Sequence, residues 1–136
     1  GSDLVIQGVL ATKLIRDLSQ LYDVPVKEIE IESFLQLAGN KIKNMTALTL
    51  AIAGHALKAF PGLGTISGGG VHAVAYGMIF DSVGRAAADT LASRGELRAY
   101  PAAEAFEDLL HEHLESGAVR FAKMAVSGRE RNSDPA

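Results

Sequence analysis

The 136-residue chain contains no cysteine, which excludes disulfides and any thiolate-bound metal. Basic residues are in the minority: 13 Lys and Arg against 16 Asp and Glu, a net charge of −3. That balance argues against general nucleic-acid binding. No secretory leader is visible, and Gly1-Ser2 reads as an expression scar, so a piece excised from a longer protein is expected. The motifs of several enzyme classes are missing too. There is no G-x-S-x-G elbow for a serine nucleophile. No phosphate-loop lysine follows the glycines, because Gly70 is succeeded by Val71-His72. The run Gly62-Leu63-Gly64-Thr65-Ile66-Ser67-Gly68 is one residue too long for a dinucleotide fingerprint, and a helix precedes it instead of a strand.

Helical periodicity is present throughout. Leu10, Leu14, Leu18 and Leu21 recur by fours and threes, predicting a first helix from about Leu4 to Tyr22 that Asp23-Val24-Pro25 stops. Val26 to Glu32 alternates apolar and charged residues like a strand. No other segment offers it a strand partner, so a short helix ending at Gly39-Asn40 is expected. Ile42, Met45, Thr49, Ile52, Ala56 and Phe60 mark a third helix, broken by Pro61-Gly62-Leu63-Gly64. A fourth runs from about Thr65 to Arg94, with Gly95 beyond its end. Two more cover Ala102 to Ser116 and Val119 to Ser127. The expected fold is all-α: an antiparallel bundle of about five or six helices around a central glycine-rich helical hairpin. It forms one domain over residues 3–128, with a flexible tail over 129–136.

The glycines find a mechanical reading. Gly69, Ala73 and Gly77 recur every fourth residue and make a flat strip for close helix packing, most simply against the preceding arm of the hairpin. Ala59 to Phe80 is 22 residues without formal charge if His72 is neutral, but six of them are glycine, so a buried helix is preferred to a membrane span. His55 and His72 sit on the two arms, where a core role is expected before a metal or proton-sensing one. Glu107, His111 and Glu115 fall at i, i+4 and i+8 on one helix and have metal-ligand spacing, though a solvated face is the plainer reading.

Leu21-Tyr22-Asp23-Val24-Pro25, the segment up to Gly39, the junction Lys58-Ala59-Phe60-Pro61-Gly62-Leu63-Gly64 and the small-residue helix with Gly77 and Gly84 follow one another in a distinctive order. Over about Lys13 to Leu97 this order resembles the domain of unknown function 697 family, an all-helical domain that often follows GTPase domains in bacterial proteins. The resemblance implies a non-catalytic regulatory or interaction module beside a GTPase domain on the same polypeptide. It implies no catalytic residue and no cofactor, and a cytoplasmic place, including the inner face of the membrane. Phe60, Pro61, Gly62, Leu63 and Gly64 are the candidate contact with a partner or a membrane. The alternatives are a membrane-associating domain using the apolar hairpin around Pro61–Gly64, a homo-oligomer, and a small metal-binding or enzymatic helical domain.

Overall fold

The computed structural model describes residues 4–60 and 68–133, with side chains through Ser127. Among the described residues five helices follow one another: α1 (Gly8–Leu21), α2 (Glu28–Leu57), α3 (Gly68–Arg94), α4 (Ala99–Glu115) and α5 (Val119–Ser133). The all-α expectation holds, and the described residues contain no strand. The two longest helices, α2 and α3, each pack against all the others and form the central pair. Two ties run in register from α2 to α4, Glu30 to Ala99 and Lys41 to Glu107, so these helices are parallel. Asp81 meets His113, while Ala92 and Ala105 line one cleft, so α3 and α4 are antiparallel. It follows that α2 and α3 are antiparallel as well. Arg120 lies near Asp81 and Phe121 against Gly77, so α5 continues along the N-terminal half of α3 where α4 has covered the C-terminal half.

Between α4 and α5 the chain turns through two left-handed residues, Gly117 (φ 80°) and Ala118 (φ 60°). The Gly117 N–H donates to Leu114 O at 3.1 Å and the Ala118 N–H to His113 O at 3.2 Å, which satisfies the last carbonyls of α4. The end of α1 is built the same way, except that Asp23 (φ 55°) occupies the position that glycine usually takes. Val24 N–H reaches Ser19 O at 2.9 Å and Asp23 N–H reaches Gln20 O at 3.1 Å.

One break predicted from the sequence does not exist. Gly39-Asn40 lies inside α2, which runs unbroken for 30 residues. The buried positions Ile31, Phe34, Ala38, Ile42, Met45, Thr49 and Ala53 keep helical spacing straight through it. A mid-helix glycine costs about 1 kcal/mol against alanine, less than the burial of that stripe contributes. Nothing lies within 4 Å of where a Gly39 side chain would begin. Gly39→Ala is therefore expected to raise stability by roughly 0.5–1 kcal/mol, read as an upward shift of the thermal midpoint. At the other end α5 continues to Ser133, through residues expected to belong to a flexible tail.

The core is a single cluster rich in alanine, with Phe34 and Phe106 as its largest fully buried side chains. On α1 the buried face centres on Ala11 and Ile15, while Leu10 and Leu21 of the predicted leucine stripe are exposed. Leu4, before α1, is buried, and the neighbouring Val5 N–H donates to the Tyr76 hydroxyl at 3.3 Å. Buried hydroxyls bond back to their own helices: Thr46 to Ile42 O, Ser82 to Met78 O and Thr90 to Ala87 O. No buried side-chain nitrogen or oxygen among the described residues lacks a partner.

Candidate functional site

Of the residues expected to meet a partner, Phe60 is half-buried against the core. Pro61, Gly62, Leu63 and Gly64 lie outside the described residues. The small-residue strip does not pack as one unit. Gly69 and Ala73 are exposed, and Gly77 faces α5, where an added Cβ would stand 3.3 Å from the Phe121 ring. The α2–α3 contact near the turn uses a different glycine, Gly54, whose Cβ position lies 4.0 Å from Val71 Cγ2. Spacing identified a flat strip but not the helix that uses it.

His55 is exposed, contrary to the core role expected of it, and His72 is half-buried with its ring 6.4 Å from that of Tyr76. Glu107 is drawn to Lys41 at 3.4 Å, while His111 and Glu115 point into solvent. No group of three or more potential metal ligands converges among the described residues.

Among the described residues, three cationic or ionisable side chains meet at Asp81, a cluster that was not legible in the sequence. Asp81, on α3, accepts from Arg85 Nε at 2.9 Å and pairs with His113 Nε2 of α4 at 2.8 Å. Arg120 of α5 approaches the same Oδ2 at 3.6 Å. The Phe121 ring stands edge-on to His113 at 4.7 Å, and the Arg120 guanidinium lies over that ring, also at 4.7 Å. His113 is nearly enclosed, its side chain 14% exposed, while both arginines are more than half exposed. The pair has the look of half a proton relay. Ser116 Oγ, which lines the same cleft, instead donates to the His113 carbonyl at 2.9 Å. The arrangement clasps three helices at one carboxylate.

No family model, curated protein or solved structure gives a significant match to this chain. The reading of its surface therefore rests on its own geometry.

Among the clefts that the described residues form are two along the bundle. One, of about 580 Å³, lies between α2 and the start of α4, beside Ser33, Gln36, Asn40 and Tyr100. The first N–H of α4 is already taken there, because Glu30 accepts the Ala99 N–H at 2.9 Å. The other, of about 560 Å³, runs between α3 and α4 from Tyr22 to Glu112, over a floor of Ala88, Ala92, Ala105 and Leu109. It shares Arg85, Leu109 and Glu112 with a further cleft of about 400 Å³ that reaches Arg120 and Phe121.

Beyond the clefts, one end of the hairpin, residues 44–57 of α2 and 68–80 of α3, carries no Asp, Glu, Lys or Arg. From Asn44 to Leu57 α2 has no charged side chain if His55 is neutral, and Ala47, Leu48, Ala51 and His55 form an exposed strip at helical spacing. Leu48 is 48% exposed. On α3, Gly69 and Ala73 extend this character to the second arm.

Proposed function

We propose that this chain is a non-catalytic helical docking module whose α2–α3 hairpin engages a GTPase domain on the same polypeptide. The observation that carries the reading is the uncharged, small-residue surface at this end of both arms. A solvated helix face ordinarily carries charge, and depletion of charge is a mark of the centre of a protein interface. Phe60 to Gly64 lie in the sequence between the two arms and are assigned to the same contact. The resemblance over Lys13 to Leu97 supplies the identity of the partner.

The test is calorimetric titration of the chain with that GTPase domain, loaded with GDP or with a non-hydrolysable GTP analogue. Binding in at least one nucleotide state is expected. Ala51→Glu and Ala73→Glu, both at exposed positions, should each weaken it at least about tenfold by placing an unpaired carboxylate in the contact. Absence of binding in both states would sink the proposal.

A second reading, attachment to a membrane surface, is favoured by Lys43 and Lys58, exposed residues that bracket the bare strip of α2. No helix among the described residues is long and apolar enough to cross a bilayer, so this contact would lie at the interface. Co-sedimentation with anionic vesicles separates the two readings. Binding that Ala51→Glu abolishes, without affinity for the GTPase domain, would favour the membrane.

A further inference from the structure

We infer that the α3–α4 groove receives α5 of a second copy of this chain, forming a two-fold symmetric dimer. The groove has an apolar floor of small side chains and a net acidic rim: Arg85 and Asp89 on one wall, Asp108 and Glu112 on the other, with Arg85 already drawn to Asp81 at 2.9 Å. None of Asp89, Asp108 and Glu112 has a cationic partner among the described residues. The charge follows from helix composition. α4 carries five carboxylates, Glu104, Glu107, Asp108, Glu112 and Glu115, and no lysine or arginine.

α5 is its opposite, with Arg120, Lys123, Arg129 and Arg131 against Glu130 alone. Its exposed positions Val119, Arg120, Lys123, Met124 and Ser127 recur at i, i+1, i+4, i+5 and i+8, so they form one face. Met124 is 62% exposed and Val119 48%. Lys123 has no carboxylate partner among the described residues. Lys123 and Arg120 lie in the middle of this face with Val119 and Met124 at its margins, so a basic helix face is set against a groove that carries Asp89, Asp108 and Glu112.

Placement selects a second copy as the source. The groove runs into the cleft that Arg120 and Phe121 line, so acceptor and donor surfaces are contiguous on one molecule. A two-fold axis passing near Glu112 and Arg120 sets each α5 in the groove of the other subunit, meeting the reciprocity that an isologous interface demands. The α5 of the same subunit cannot fill its own groove, because Phe121 holds it against Gly77 on the other half of α3. This surface is distinct from the hairpin strip.

Sedimentation equilibrium tests the inference. At about 50 mM salt the wild type should have twice its 14.3 kDa monomer mass, and about 500 mM salt should weaken the dimer at least about tenfold by screening. Asp108→Lys and Lys123→Glu should each weaken it by a similar factor, and the double variant should recover the dimer. Ala51→Glu and Ala73→Glu should leave it intact, which separates this interface from the hairpin contact. If the charge variants do not fold, Asp108→Cys mixed with Lys123→Cys should form an intermolecular disulfide that neither forms alone, against a cysteine-free background. A wild type that is monomeric at about 200 µM, a double variant that does not recover, or a cysteine pair that does not cross-link overturns the inference. A monomer whose melting temperature rises with an arginine-rich amphipathic peptide also overturns it, and gives the groove to another chain.

Discussion

Phe106→Ala is expected to lower the unfolding free energy by about 3–5 kcal/mol, the range for deleting a buried aromatic ring. Phe106 is fully buried at the middle of the inward face of α4, in series with Ala99, Ala102, Ala103, Leu110 and Leu114. Its surroundings push the cost toward the upper end. The core holds many alanines, among them Ala38, Ala53, Ala75, Ala86 and Ala87, all inaccessible. Short side chains bring helix axes close together, but they have no rotamers with which to close a vacated space. Cavity cost grows with the volume that neighbours fail to reclaim. A domain stable by roughly 5–15 kcal/mol would lose a large part of its margin, and the thermal midpoint should fall by roughly 10–20 °C. Urea titration at constant slope is the cleaner measurement, because a changed slope would mean that the unfolded state or the cooperativity had changed instead. Leu48→Ala, on the exposed strip of α2, is the control and should stay within about 0.5 kcal/mol of wild type. A loss below about 1 kcal/mol for Phe106→Ala would be incompatible with a closely packed ring.

Helix type and approximate extent were legible because they depend on neighbours three and four residues away. The ends of α3 and α4 fall beside Gly95 and Gly117, as their left-handed backbone requires. Gly39-Asn40 carried an equally strong local stop signal and was overridden, since the buried stripe from Ile31 to Ala53 is sustained by three-dimensional packing that no short window contains. The face of α1 was legible only in part. Leu14 and Leu18 of the leucine stripe pack against the core and Ile15 beside it is buried, but Leu10 and Leu21 are exposed. This is because the buried face turns toward Ala11 and toward Gly84, whose missing Cβ lies 3.4 Å from Leu14. The alternation of Glu28, Glu30 and Glu32 resembled a strand. In the folded chain Glu30 serves as the N-terminal cap of α4, 69 residues away. The groove was hidden likewise: its floor and rim come from two helices, and its acidity is visible in the sequence only after α4 is known to face α3.

Asp81→Ala should cost about 1–3 kcal/mol, mostly through one partner. The arginines contribute little: both side chains are 56% exposed, so water and salt screen them. His113 is different. At 14% exposure its ring has little access to water, and removing the carboxylate 2.8 Å away leaves Nε2 without its partner. Arg85→Ala should therefore be nearly neutral where Asp81→Ala is not. The loss should also be uneven along the chain. Asp81 is where α3 holds both the end of α4 and the start of α5, and Ala118 at the junction sits in a left-handed backbone, strained for a residue with a Cβ, that neighbouring contacts must keep in place. Amide exchange in α5 should accelerate at least about tenfold in Asp81→Ala while the core of α2 slows or speeds only with global stability. Asp81→Asn divides hydrogen bonding from charge, because the amide oxygen can still accept from His113. Restored protection of α5 in that variant would assign the clasp to the buried hydrogen bond. Equal loss in Asn and Ala would assign it to the carboxylate charge shared among Arg85, His113 and Arg120. Uniform acceleration across all five helices would refute the clasp itself.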